Sequence, residues 1–197
     1  MIAYKGFNRD LESIHGNGRK ECCTFTPGVT YKEASSKTRN TGFHCCENPF
    51  ECLTYYQLDG NNRFFQVEAE GDINEDQGGR IACTELTLIR ELSRTELAFA
   101  GMEYLIHHPR REKWEQNHRN VKVQKDRAEV EDPGAIAIAR GVSPSVKGPK
   151  GSILGLIVEP VPGEIAEAKL FRSSGDAWME FGEGRTIREV RDEKEAG

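Results

Sequence analysis

The sequence predicts an α+β fold, with an N-terminal α+β domain rich in antiparallel strands, one amphipathic helix and a small all-β C-terminal unit. Three observations lead to this prediction: an alternating segment at 64–70, a helix start signal at Ser93, and short apolar runs separated by Gly and Pro after residue 132. The chain has 197 residues, of which 37% are hydrophobic. It is therefore long enough to form a packed core in one domain or two.

Five segments of the N-terminal section, residues 1–92, alternate in polarity or are bounded by turn residues. They are predicted as strands: 2–4, 29–31, 42–46, 64–70 and 81–92. In the fourth segment, Phe65, Val67 and Ala69 are expected to face the core, because side chains alternate across a strand. Asn48 followed by Pro49 predicts a short helix that ends at residue 56.

The middle section, residues 93–130, begins with a clear helix signal. Ser93 followed by Glu96 forms a capping box, and Pro109 ends the pattern, so a helix is predicted over 94–108. Its apolar positions are Leu97, Ala98, Phe99, Met102, Leu105 and Ile106. The stretch 110–127 is polar and basic, and is also expected to be helical.

The C-terminal section, residues 131–197, consists of short apolar runs separated by turn residues. Four runs are predicted as strands: 135–139, 153–158, 165–171 and 178–181. The stretch 141–151 is expected to be a turn region, and the charged tail from Arg185 is expected to fray. A small all-β unit follows from this pattern.

Charge and hydropathy exclude several classes of protein. The formal net charge is −5, whereas proteins that bind nucleic acid directly usually carry a basic excess. No run approaches the roughly 18 apolar residues that a membrane-spanning helix needs, and the N-terminus has no apolar signal region. We therefore expect neither direct nucleic-acid binding nor a membrane association, and place the protein inside the cell.

Five of the six cysteines lie in the first quarter of the chain: Cys22, Cys23, Cys45, Cys46 and Cys52. In a reducing compartment they are expected to be free thiols. Neighbouring residues on a strand point to opposite faces, so each adjacent pair offers one sulfur to a shared site. The prediction is therefore buried thiols and no metal, with the alternative of a zinc site built from one cysteine of each pair plus His44 or Cys52.

Two charged segments are candidate partner-binding surfaces. The acidic one contains Glu68, Glu70, Asp72, Glu75 and Asp76, the first three of which share a face at period two. It is interpreted either as a solvated sheet face or as a surface for an Arg- and Lys-rich groove on a host protein. The basic one contains Arg110, Arg111 and Lys113, and is either a solvated linker helix or a contact for a phosphate backbone or an acidic partner.

Several motifs resemble an uncharacterised domain family of bacteriophages and prophages. Residues 4–8 read YKGFN, residues 42–49 read GFHCCENP, and residues 55–56 are a tyrosine pair; the family pattern is YKGFN, GFHxCxxP and YY in that order. In relatives the domain is often followed by glycine-rich repeats and a closing unit similar to residues 135–154. The resemblance implies a phage or prophage protein in the cytoplasm of the bacterial host, without an assigned activity.

The same region is more weakly similar to ADP-ribosyltransferase-like folds. That resemblance implies NAD as a cofactor, with Tyr4 and Lys5 near it and Tyr55 or Tyr56 stacked on the nicotinamide. It also implies a catalytic acid, for which the candidates are Glu85 and Glu159. The residue that precedes the glycine motif in such enzymes is His or Arg, whereas here it is tyrosine.

The expected function is that of an accessory protein that binds a host protein or protein–nucleic acid complex and inhibits an antiviral defence system, without a cofactor. One alternative is an NAD-dependent ADP-ribosyltransferase that modifies a host protein. Another is an accessory part of the virion. The sequence leaves the partner and the oligomeric state open.

Overall fold

The computed structural model of the chain describes residues 1–13, 24–76 and 79–190. Strand accounts for 51% of the structure and helix for 13%, so the α+β prediction holds with a strong excess of strand. The chain divides into two compact units, Met1–Leu97 and Ala98–Gly197. Within the described part of the chain, no helix has both the length and the apolar character needed to span a membrane.

The described residues of the first unit form five antiparallel strands. They are β1 (Ile2–Asn8), β2 (Thr30–Lys32), β3 (Phe43–Cys46), β4 (Asn62–Glu75) and β5 (Arg80–Glu91). Their order in the sheet is β2-β5-β3-β1-β4, and β4 also pairs with β5. The strands β5, β3, β1 and β4 therefore form a closed ring. The short strand β2 is not part of the ring and pairs with β5.

The inside of this ring is the core of the first unit. Phe65, Val67 and Ala69 of β4 are at most 1% exposed, which confirms the predicted alternation. Lys5 of β1 lies directly opposite Phe65, and Ala3 lies opposite Val67. Since directly opposed residues share a face of the sheet, the side chain of Lys5 is on the core side.

The short helix predicted after Asn48 is present as a 3-10 helix, Pro49–Thr54. The Asn48 side chain accepts a hydrogen bond from the amide of Phe50 at 3.0 Å, as an N-cap residue does. The helix ends two residues before the predicted boundary. It buries Phe50, Cys52 and Leu53.

The boundary between the units falls within α1 (Arg94–His107). The predicted capping box is confirmed, because Ser93 and Glu96 exchange hydrogen bonds through their amides and side chains. Phe99 was expected on the apolar side but is 55% exposed. At about 100° per residue it falls next to the stripe formed by the buried Leu97 and Met102 rather than on it.

Beyond α1, the described residues of the second unit form seven strands and one short 3-10 helix at Glu183–Arg185. The strands are β6 (Gln116–His118), β7 (Val121–Glu129), β8 (Ile136–Lys147), β9 (Ile153–Val158), β10 (Glu167–Arg172), β11 (Trp178–Phe181) and β12 (Ile187–Val190). The long strand β8 is central: it runs parallel to β7 and β9 and antiparallel to β11. No local pattern of residues indicates these parallel pairs.

Two predictions about this half of the chain are wrong. The stretch 110–127 was expected to be helical, but it contributes to β6 and β7, because Val121 and Val123 alternate with polar residues and are fully buried. The stretch 141–151 was expected to be turn, but β8 continues through Lys147. In the tail, Ile187–Val190 pairs with β11, and residues 191–197 lie outside the described part.

Candidate functional site

A cavity of about 220 Å³ lies in the first unit where β1 meets β3 and the 3-10 helix. Three segments that carry the sequence motifs contribute to its lining: Tyr4 to Gly6, Phe43 to Cys46, and Tyr55 with Tyr56. The remaining described lining residues are Ser13, Phe25, Arg39, Asn40, Cys52 and Arg80. Motifs that are about 50 positions apart in the sequence therefore meet at one cavity.

The strand register explains how these residues come together. Tyr4 of β1 lies opposite Cys46 of β3, and Cys46 lies opposite Arg80 of β5. Opposed residues in antiparallel strands share a face, so the three side chains form one row across the sheet. The guanidinium carbon of Arg80, at the end of this row, lies 5.7 Å from the ring centroid of Tyr55. Tyr55, which follows the 3-10 helix, therefore lies next to the row.

Lys5 is the unusual residue of the cavity. It is 7% exposed, and its Nζ donates a hydrogen bond to the carbonyl oxygen of His44 at 2.6 Å. The same nitrogen lies 5.4 Å from the ring centroid of Phe7. Burial lowers the pKa of Lys5, because desolvation penalises the charged form, while nearby thiols act in the opposite direction.

Four buried free cysteines surround this lysine: Cys45, Cys46, Cys52 and Cys83. A hydrogen bond with Cys83, together with burial, raises the pKa of Cys45 well above its ordinary range. A hydrogen bond with Cys46, together with burial, does the same for the pKa of Cys52. Both residues are therefore held as neutral thiols near neutral pH.

Metal binding was predicted to be absent, with a zinc site as the alternative. Within the described ranges, no group of three or more His, Cys, Asp or Glu side chains has the arrangement of a metal site. Cys22 and Cys23, which the zinc alternative needs, lie outside the described residues. The question of metal therefore stays a prediction.

The structure brings together some of the residues implied by the ADP-ribosyltransferase resemblance. Tyr4, Tyr55 and Tyr56 all line the cavity. Glu85 does not belong to the described lining; it lies on β5, where its carboxylate pairs with Lys32 at 3.0 Å. Glu159 lies in the second unit and pairs with Arg140 at 2.6 Å. The three tyrosines thus share a cavity to which the described residues contribute no catalytic carboxylate.

The acidic segment occupies the end of β4. Glu68 is half-buried and Glu70 is exposed on the outer side of the sheet, where Glu70 lies directly opposite Glu85. Asp72 and Asp76 have neighbours of their own: Ser36 donates to Asp72 at 3.0 Å and Arg39 pairs with Asp76 at 3.4 Å. Glu75 is exposed at the last position of the strand.

The basic residues Arg110, Arg111 and Lys113 lie in the connection between α1 and β6. They belong to the second unit, whereas the acidic segment belongs to the first. Arg110 packs with its aliphatic stem against Gly163. The connection is irregular, with Lys113 at a φ of +56°.

Sequence reasoning missed Arg39 and Arg80 as site residues. Arg80 sits at the start of a predicted strand, and its approach to the cavity depends on the pairing of β5 with β3, which no local pattern specifies. Arg39 lies in a loop and has a φ of +64°. Lys5 carried a signal that could have been used, since a lysine at an inward position of an otherwise apolar strand is rare.

Residues 1–100 match the family described as a domain of unknown function, DUF7666. The chain belongs to this family. The comparisons gave no significant match among curated proteins or among solved structures. The DUF7666 domain covers the whole first unit, Met1–Leu97, so every described residue of the cavity lies within it.

Proposed function

We propose that the DUF7666 domain binds a compact, negatively charged ligand that carries a planar ring, and that this ligand occupies the cavity beside Lys5. The observation that supports the proposal is the charge of the cavity wall. Its described lining includes Lys5, Arg39 and Arg80 but no aspartate or glutamate. Such a wall favours an anion, because the half-buried guanidinium of Arg80 attracts negative charge more strongly than it would in bulk water.

The size and the surface of the cavity narrow the ligand class. A volume of about 220 Å³ is below the roughly 300–1,000 Å³ of drug-sized sites, so the cavity suits a small molecule or one end of a larger one. Tyr55 is 40% exposed, and with Phe43 and Tyr4 it offers aromatic surface for a ring. Nicotinamide nucleotides combine a ring with phosphate, so the NAD alternative is one member of this class.

The test is equilibrium binding by calorimetry to the full chain, with nicotinate and nicotinamide as a matched pair. The two share a ring and differ in charge. A charge-assisted hydrogen bond contributes about 1.5–3 kcal/mol, so nicotinate is expected to bind roughly tenfold to a hundredfold more tightly. Nicotinamide mononucleotide and NAD then show whether a phosphate or a second nucleotide adds affinity.

Arg80→Gln should remove this preference for the charged ligand. The matched control is Arg63→Gln, since Arg63 belongs to the same unit and pairs with Glu91 at 2.6 Å, but does not belong to the described lining. Equal affinities for the two ring compounds, or equal effects of the two substitutions, would contradict the proposal.

A second candidate function is protein binding by the acidic outer face, for which the position of Glu70 opposite Glu85 provides support. Like charges directly opposed on a sheet are destabilising. Lys32 already compensates the charge of Glu85, and a basic partner surface would compensate that of Glu70. We propose a host protein or protein–nucleic acid complex as this partner. The phage or prophage origin implied by the motifs would place the encounter in the bacterial cytoplasm and make an antiviral defence complex one such partner.

The protein-binding candidate is tested by a tagged pull-down from bacterial lysate with intact-mass analysis. The double variant Glu68→Lys with Glu70→Lys should abolish capture of the partner. The control is the double variant Glu103→Lys with Glu112→Lys, which makes the same charge change at exposed positions of the second unit and should retain capture. Capture that survives the first pair removes this candidate. Lysate proteins that gain the mass of ADP-ribose would support the transferase alternative, and a fixed copy number in purified particles would support the virion alternative.

A further inference from the structure

We propose that Lys5 is a covalent site of the cavity, where its amine captures the carbonyl carbon of a small aldehyde or keto acid as an imine. The inference rests on the proposed ligand-binding function of the same cavity. It adds the class of reactive group that the ligand carries.

The geometry makes Lys5 a different residue from a surface lysine. Buried ammonium groups are normally paired with a carboxylate, but the polar contact of the Lys5 nitrogen in the described structure is the carbonyl oxygen of His44. Lys32 of the same unit is the contrast, since its side chain is 69% exposed and its ammonium pairs with Glu85 at 3.0 Å. The environment of Lys5 therefore favours the neutral amine, which is the nucleophilic form.

The titratable groups that line the cavity with Lys5 or interact with it electrostatically act in both directions. They are the thiols of Cys45 and Cys46 on β3, of Cys52 on the 3-10 helix and of Cys83 on β5, the phenols of Tyr4, Tyr55 and Tyr56, the imidazole of His44, and the guanidinium groups of Arg39 and Arg80. Burial lowers the pKa of Lys5, whereas the four thiols act to raise it. The raised pKa values of Cys45 and Cys52 keep those two thiols neutral near pH 7 and so limit their effect on Lys5, while the hydrogen bond with Cys45 lowers the pKa of Cys83.

The reaction balances without an oxidant or a reductant. The lone pair of Nζ forms a bond to the carbonyl carbon, the carbonyl π electrons move to oxygen, and the proton lost from nitrogen reaches that oxygen to give a carbinolamine. The hydroxyl then leaves with one further proton as water, and the nitrogen lone pair forms the C=N bond. The products are one imine and one water, and a carboxylate on the ligand would face the guanidinium groups.

The experiment is reductive trapping on the full chain at pH 7, with glyoxylate as the anionic aldehyde, glycolaldehyde as a neutral aldehyde of similar size, and cyanoborohydride as the trapping agent. Peptide mapping by mass spectrometry then gives the labelling rate at each lysine. We expect Lys5 to be labelled faster than Lys32, since burial lowers the pKa of Lys5 and so increases its fraction of neutral amine.

Two variants keep the result interpretable. Lys5→Arg should remove the fast label while circular dichroism reports whether the fold is retained, and Lys32→Arg should leave the fast label in place. Arg80→Gln retains Lys5 and should slow glyoxylate more than glycolaldehyde. If Lys5 is labelled no faster than Lys32, the inference is wrong even where nicotinate binds. Another outcome is that glyoxylate and glycolaldehyde label Lys5 equally fast, both in the natural chain and in Arg80→Gln. That result would support the covalent site at Lys5 and contradict the proposed preference of the cavity for anions.

Discussion

The ring of Tyr56 lies directly against the backbone of Gly6. A Cβ atom added at Gly6 would be 2.6 Å from Cδ2 and 2.8 Å from Cγ of that ring, which is closer than non-bonded carbon atoms approach. Tyr56 is itself 5% exposed. Gly6 of the YKGFN motif therefore leaves room for Tyr56 of the tyrosine pair, and this contact forms one wall of the cavity.

Gly6→Ala is expected to lower the free energy of unfolding by about 1–3 kcal/mol, because the added methyl group must displace a well-packed ring. Urea titration followed by circular dichroism measures this change. The matched control is Gly175→Ala, since nothing lies within 4 Å of a Cβ added at Gly175. If the two variants unfold at the same urea concentration, the steric account of the Gly6–Tyr56 contact is wrong.

In the second unit, Arg140 is 2% exposed. Its guanidinium group forms two hydrogen bonds with the carboxylate of Glu159 and lies 4.9 Å from the ring centroid of Trp114. Glu159→Gln leaves this buried charge without its counterion, and should lower the free energy of unfolding by about 3–5 kcal/mol. Urea titration followed by tryptophan fluorescence reports on this unit. The matched control is Glu180→Gln, since Glu180 pairs with Arg188 at a more exposed position. This change should lower the free energy of unfolding by at most about 1 kcal/mol. Comparable losses of stability in the two variants would contradict a special role for the buried pair.

The same ion pair predicts how the stability of the second unit depends on pH. Burial acts to raise the pKa of Glu159, but hydrogen bonds from Arg140 and from the amide of Gly163 outweigh it, so that the pKa is lowered from its ordinary value of 4.5. Because the folded-state pKa is lowered, the stabilisation is present above pH 4.5 and is lost as the pH falls through the lowered value. Urea titrations between pH 7 and pH 3 should show this loss in the natural chain and a smaller one in Glu159→Gln. Parallel curves for both proteins would rule out this linkage.

Local patterns predicted the parts of the fold that depend on neighbours in sequence. The alternation of Phe65, Val67 and Ala69 and the capping box of Ser93 and Glu96 are fixed by backbone geometry within a few residues, and both are confirmed. The stretch around Val121 and Val123 was misread because lysine and glutamine between the valines are equally compatible with an exposed helix face.

The cavity could be predicted only in part, for a different reason. Its motif residues were recognisable as a set, but the closure of the ring by β4 and β5 and the row of Tyr4, Cys46 and Arg80 depend on pairing between distant strands. Such pairing is determined by the packing of the whole unit, and a single sequence carries no local record of it.

Cys45 and Cys52 should react slowly with iodoacetamide in the native protein at pH 8. Each is 3% exposed, and hydrogen bonding to a neighbouring thiol together with burial raises the pKa of both, so that little of the reactive thiolate is present. We expect alkylation at these two positions to be slower in buffer than in urea, since burial restricts access and the raised pKa lowers the thiolate fraction. Peptide mapping of time points in buffer and in urea provides the measurement and its control. Equal rates in both solvents would show that these thiols are accessible and ionised, and would also weaken the argument that Lys5 is a neutral amine.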